Sequence, residues 1–78
     1  MYLITNSPIM GKNIAFIRRQ QGLTREALGQ MINIEELELR DIENGEVLEI
    51  DFDSLRILCS LFRLDADELL NVPMWDRE

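Results

Sequence analysis

Histidine is absent from the 78 residues, and cysteine occurs once, at Cys59. A zinc site of Cys/His type and an intrachain disulfide are thereby excluded. No apolar run approaches the roughly 20 residues of a membrane span. The opening stretch, MYLITNSPIM, has no basic region of the kind that precedes a secretory signal core. A reduced, cytoplasmic protein with no membrane partner is expected. Catalytic patterns are missing too: there is no Gly-rich phosphate loop and no serine beside a base, so the reading is not an enzyme, with no metal and no cofactor. The acid pairs Glu35/Glu36 and Asp65/Asp67 fit helix starts, where the helix dipole favours carboxylates. Basic residues are also scarce, eight Lys and Arg against fifteen Asp and Glu, for a net charge of −7.

The scarcity is uneven. Residues 1–31 carry four bases and one acid, whereas residues 32–78 carry four bases and fourteen acids. The densest acidic stretch, EELELRDIENGEVLEID (Glu35 to Asp51), holds eight acids, with Arg40 as its single base. A surface that grips nucleic acid by neutralising phosphates needs bases, and here only the first third of the chain supplies them.

What the chain does contain is helical periodicity. With 46% hydrophobic and 29% charged residues it is apolar enough to fold, and its length allows one small core. Ser7-Pro8 starts a first helix, about Pro8–Gln21, with Met10, Ile14 and Ile17 at helical spacing and Gly22 as a left-handed stop. Thr24 caps a second, about Thr24–Met31, with Ala27 and Leu28 inward. Asn33, which tolerates a left-handed backbone, leads into a third, about Glu35–Glu43, with Leu39 and Ile42 on one face. Asn44-Gly45 closes it. EVLEID reads as a loop, and Asp51 or Asp53 caps a fourth helix ending near Phe62. Asp65 opens a short fifth, about Ala66–Leu70, in a pattern like a capping box, and Pro73 prevents continuation. MYLIT has strand character but no evident partner within the chain. The expected core is Ile14, Ile17, Leu28, Ile34, Leu39, Ile42, Leu55, Leu58 and Phe62, with Cys59 as a small packing residue.

Four segments in this order, IAFIRRQQGLT, EALGQMINI, LRDIENG and LRILCSLFRLDADELL, resemble the Cro/C1-type (XRE-like) helix-turn-helix family of phage and bacterial transcriptional regulators. The resemblance spans about residues 10–70. It implies a single all-α five-helix domain, 1–78, flanked by an N-terminal arm (1–7) and a C-terminal tail (71–78). Three positions depart from the family pattern: Gly29 stands for Ala, and Asn33 and Arg63 stand for Gly.

The resemblance further implies a regulator that binds double-stranded DNA as a homodimer. Thr24 and Arg25 would meet phosphate, and Glu36, Leu37, Arg40, Asp41 and Asn44 would approach the groove or its edge. A carboxylate can accept from cytosine N4, and Leu37 can touch a thymine methyl. Arg18 and Glu43 match positions that form a structural ion pair between the first and third helices. Arg19, Lys12 and Arg56 read as solvated charges. Apolar residues left over at both ends, Tyr2, Leu3 and Ile4 and then Val72, Met74 and Trp75, would line a dimer seam at one end or both, with folding back on the helices as the alternative for Met74 and Trp75. The acids allow a second reading, a protein-interaction module that binds a basic protein partner or mimics DNA through Glu35, Glu36, Glu38, Asp41, Glu46 and Glu49.

Overall fold

The computed structural model describes residues 1–5 and 7–77. Its elements in chain order are β1 (Tyr2–Ile4), α1 (Ile9–Gln20), α2 (Arg25–Ile32), α3 (Glu36–Glu43), β2 (Glu49–Asp51), α4 (Phe52–Phe62), α5 (Ala66–Asn71) and a closing 3-10 turn, Met74–Arg77. Side chains satisfy the first amides of four of the five helices. Ser7 Oγ accepts from Ile9 N–H at 3.2 Å, Thr24 Oγ1 from Ala27 N–H at 3.0 Å, and Asp65 Oδ1 from Asp67 N–H at 3.0 Å. At α4 the cap is Asp51 rather than Asp53, its Oδ2 accepting from Ser54 N–H at 3.3 Å. Asn33 (φ 64°) and Arg63 (φ 53°) occupy left-handed positions where the family pattern has glycine. For Arg63 that geometry costs roughly 1–2 kcal/mol.

The expectation of an unpartnered N-terminal strand and an EVLEID loop is corrected. β1 pairs antiparallel with β2, setting Tyr2 opposite Asp51, Leu3 opposite Ile50 and Ile4 opposite Glu49. Alternation explains the pairing: Leu3 and Ile50 turn inward, Ile50 to complete burial, while their neighbours face outward. The chain after Gly45 folds back first, with Glu46 and Val47 N–H both donating to the Asp41 carbonyl at 2.9 and 3.2 Å, and this carries β2 toward β1. Residues 1–5 are therefore a strand and its flanks, not a detached arm.

The core holds Ile14, Ile17, Leu28, Ile34, Leu39, Ile42, Leu55 and Leu58 as expected, joined by Met10, Ile32, Ile50 and Leu69. Phe62 is a correction: at the last turn of α4, beside the Arg63 reversal, it is half-buried and packs on the margin of the core. Two glycines set the helix spacing. A Cβ at Gly11 would overlap the Ile42 carbonyl oxygen and lie 2.8 Å from its carbon, so α1 and α3 meet backbone to backbone there. A Cβ at Gly29 would overlap the Ile34 carbonyl oxygen, where the chain turns between α2 and α3.

Buried Asn13, on α1, ties down the C-terminal end. Its Nδ2 donates to the carbonyls of Leu69 (2.7 Å) and Val72 (2.8 Å), and its Oδ1 accepts from Met74 N–H (2.8 Å). Carbonyls in and just beyond the last turn of α5 are thus satisfied by a side chain 56 and 59 residues away in sequence.

Candidate nucleic-acid interface

α2 and α3, joined by the turn at Asn33, form a two-helix unit held against α1 by one buried carboxylate. Glu43 Oε2 accepts from Arg18 Nε at 2.7 Å, and Glu43 Oε1 accepts from Arg18 Nη2 at 3.0 Å and from Arg25 Nε at 2.9 Å. Arg18 Nη1 also donates to the Leu23 carbonyl at 2.9 Å. The expected Arg18–Glu43 pair is therefore a triad that ties α1, α2 and α3 together. The Glu43 side chain is 1% exposed, and a carboxylate so enclosed is tolerated only because its oxygens are filled by charged donors. Arg25, read from sequence as a phosphate contact, is half-buried and shares its guanidinium with Glu43.

Beside Arg25, the first turn of α2 carries the amides that any helix start leaves without an intrahelical partner, a favourable place for an anion. Thr24 is committed to capping that turn. On α3, Glu36, Leu37, Glu38 and Arg40 are exposed, Leu37 to 62%, and Asp41 is half-buried. The helix's single base is not available to phosphate at full strength: Arg40 Nη2 and Nε lie 3.1 and 3.3 Å from Asp41 Oδ1. Glu35, at the N-cap position of α3, makes no capping bond with its side chain. Glu35, Asn44, Glu46 and Glu49 are exposed. The candidate DNA-facing residues are thus gathered on one two-helix unit. The acids named for the second reading extend from that unit into the loop and β2.

The C-terminal residues fold back on α1. Val72, Met74 and Trp75 are half-buried against their own chain, Met74 through its bond to Asn13. Lys12 Nζ lies 5.4 Å from the Trp75 ring centroid, so Lys12 is a cation–π partner rather than a plain solvated charge. The larger exposed apolar residues lie elsewhere, among them Tyr2 and Ile4 on β1 and Phe52, Ile57 and Leu61 on α4. On α4, burial and the nearby Asp65 carboxylate push the half-buried Cys59 thiol up from its ordinary pKa.

Sequence reasoning missed Arg25 as a ligand of Glu43, Asn13 as a clamp and Gly11 as a contact point. Only Gly11 left a trace, as a glycine inside a helical pattern.

Among the described residues, a bundle of five α-helices whose second and third form an exposed helix-turn-helix unit defines a Cro/C1-type helix-turn-helix domain. Residues 14–69 match the family model described as helix-turn-helix (HTH_3), and the chain belongs to that family. Among solved structures, it resembles a transcriptional regulator from Listeria innocua with a TM-score of 0.71 and 23% identity, over 78% of this chain and 56% of that one. The chain thus spans a little over half the length of that regulator. It also resembles the P22 c2 repressor, solved with synthetic operator 9T in the presence of Tl+, with a TM-score of 0.71 and 24% identity, over 80% of this chain and 92% of that one. At these identities the likeness establishes the fold. No curated protein matches the chain.

Proposed function

We propose that this chain is a DNA-binding transcriptional regulator that acts as a homodimer, with α3 presented to the major groove. The observation that carries the reading is the exposed outer face of α3 (Glu36, Leu37, Glu38 and Arg40), held at a fixed angle to the start of α2 by the Glu43 triad. The P22 c2 repressor, which shares the fold, is in complex with synthetic operator 9T, and that supports DNA as the partner. In this arrangement phosphate meets Arg25 and the first turn of α2. Leu37 contacts a thymine methyl, and Glu36 accepts from cytosine N4. Arg40 with Asp41, and Asn44 at the end of α3, face the edges of the groove.

The acids set the character of the binding. With Lys12 and Arg25 partly engaged within the protein, few phosphates are neutralised, so affinity falls only shallowly with salt, about −0.9 in log–log slope per phosphate contacted. Carboxylates near the duplex penalise every sequence, and only a site offering compensating base contacts overcomes them.

One observation favours a second reading. Arg40, the only base between Glu35 and Asp51, is drawn onto Asp41, which leaves exposed Glu35, Glu36, Glu38, Glu46 and Glu49 as a surface suited to a basic protein. Selection from a random duplex pool, followed by mobility shift across a salt series, separates the two. Enrichment of paired half-sites about one helical turn apart, bound far better than random DNA, is the expected result. No enrichment and no shift at low salt overturns the DNA reading and leaves the protein-partner reading standing.

A further inference from the structure

The two-stranded sheet has two outer edges that differ in chemistry. The backbone bonds between β1 and β2 fall at Met1–Phe52 and Thr5–Leu48, with Phe52 N–H donating to the Met1 carbonyl and Thr5 N–H to the Leu48 carbonyl, each at 2.8 Å. Bonded positions alternate along an antiparallel ladder, so Leu3–Ile50 is the bonded pair between them and Tyr2–Asp51 and Ile4–Glu49 are not bonded pairs. The N–H and C=O groups of Tyr2 and Ile4 therefore point away from β2. On the far edge, the corresponding groups belong to Glu49 and Asp51, whose charges guard a strand against pairing. β1 has no such guard: its residues are Tyr2, Leu3 and Ile4, with Tyr2 57% and Ile4 71% exposed. A cleft of about 330 Å³ flanks β1, bordered by Leu3, Ile4, Thr5 and Ser7 on one side and Leu70 and Asn71 of α5 on the other.

We propose that the outer edge of β1 is the dimer interface, where β1 of a second copy pairs antiparallel about a two-fold axis through Leu3. This rests on the homodimer of the functional reading and, of the two ends expected to supply a seam, takes the N-terminal one. The register is self-complementary, as a two-fold interface requires. Tyr2 exchanges two backbone bonds with the partner's Ile4, and Ile4 does the same with the partner's Tyr2, so all four outward groups on each strand are used. Each pair also places an aromatic ring beside a β-branched side chain, a favourable cross-strand combination.

Charge argues for a second copy at this edge. Each copy carries −7, so the approach of two copies is opposed least where neither brings a carboxylate. In the four-stranded sheet each row across the outer face runs from Asp51 through Tyr2 to the partner's Ile4 and the partner's Glu49. The acids are then three strand spacings apart, about 14 Å, beyond the screening length of about 8 Å at physiological salt. Phe52 lies at the same end of the sheet, its N–H bonded to Met1.

Sedimentation equilibrium on the full chain tests this, with Ile4→Lys and Ile4→Pro beside the wild type. Lysine puts a charge on the edge. Proline removes the outward Ile4 N–H and leaves the donors to β2, Leu3 and Thr5, in place. Circular dichroism confirms that each variant is folded, and lysine at so exposed a position keeps the test decisive if proline unfolds the strand. The expected result is a wild-type mass rising from 9.1 kDa toward twice that value at high micromolar concentration. Both folded variants should show a dissociation constant raised about 100-fold, tenfold for each of the two symmetric contacts. A dimer that persists unchanged in the folded variants overturns the β1 edge but keeps the homodimer. A wild type that stays monomeric at millimolar concentration overturns both, while DNA selection continues to test the functional reading by itself.

Discussion

Replacing Gly11 by alanine adds one methyl group at the closest approach of α1 to α3. In an isolated helix the change would help, by roughly 0.5–1 kcal/mol, because glycine loses more chain entropy than alanine. Here the new Cβ would overlap the Ile42 carbonyl oxygen and sit 2.8 Å from the Ile42 carbon and 3.2 Å from Glu43 Cα. These are backbone atoms, so no rotamer change relieves the clash, and the helices must separate. Separation loosens Ile42 and Met10 in the core and moves Glu43 from its two arginines. Overpacking of this kind costs about 1–3 kcal/mol, and a backbone obstacle places Gly11→Ala at the upper end, which leaves a net loss of about 2 kcal/mol once the helix gain is subtracted. Urea unfolding followed by circular dichroism measures it, with Gly22→Ala as the reference, since that position has open space but a left-handed backbone (φ 68°). Gly11→Ala should be the more damaging of the two. A Gly11→Ala protein as stable as the wild type would refute the close packing of α1 on α3.

Glu43→Gln should cost about 3 kcal/mol, because it leaves two guanidinium groups facing a neutral amide. Arg18→Ala should cost more than Arg25→Ala, since Arg18 makes two bonds to Glu43 and one to the Leu23 carbonyl; urea midpoints give the ranking. Asn13→Ala strands the Leu69 and Val72 carbonyls and the Met74 N–H. It should cost about 1–3 kcal/mol and shift Trp75 fluorescence to longer wavelength as the tail detaches from α1. Cys59, its thiol pushed up by burial and then by Asp65, should react with a disulfide reagent more slowly than free cysteine at pH 8. The folded state holds this proton more tightly than the unfolded chain, so the associated stability is intact below the ordinary thiol range and is lost as pH rises through the raised folded value.

Most of the helices are legible because their start signals are local. Thr24 before Arg25 and Asp65 before Ala66 are local statements, and the structure uses both as caps. The Arg18–Glu43 pair was reachable through family spacing. Its third member was not, because nothing local to Arg25 shows that Glu43, eighteen residues on, turns toward it. Asn13 was hidden for the same reason, as its partners lie 56 and 59 residues away. The sheet failed on length: strands of three residues are too short for alternation to stand out. Gly29, the small residue that stands where the family pattern has alanine, permits close packing as expected: the Ile34 carbonyl leaves no space there for a Cβ. Along the candidate interface, exposure of Leu37 followed from its offset from Leu39 and Ile42. The pairing of Arg40 with Asp41 depends on side-chain conformations that sequence does not specify.

The central claim is that α3 faces DNA and that its acids suppress indiscriminate binding. The most direct test is a mobility-shift titration of the wild type against the Glu36→Gln, Glu38→Gln, Asp41→Asn variant, on selected and random duplexes over a salt series. Removing three negative charges at the groove should strengthen binding to random DNA sharply at low salt, with the gain fading as salt screens it. Discrimination for the selected site should fall by roughly 1–3 kcal/mol for each base that a carboxylate no longer reads. Equal affinity of the wild type and the variant for both duplexes would place DNA elsewhere and contradict the account.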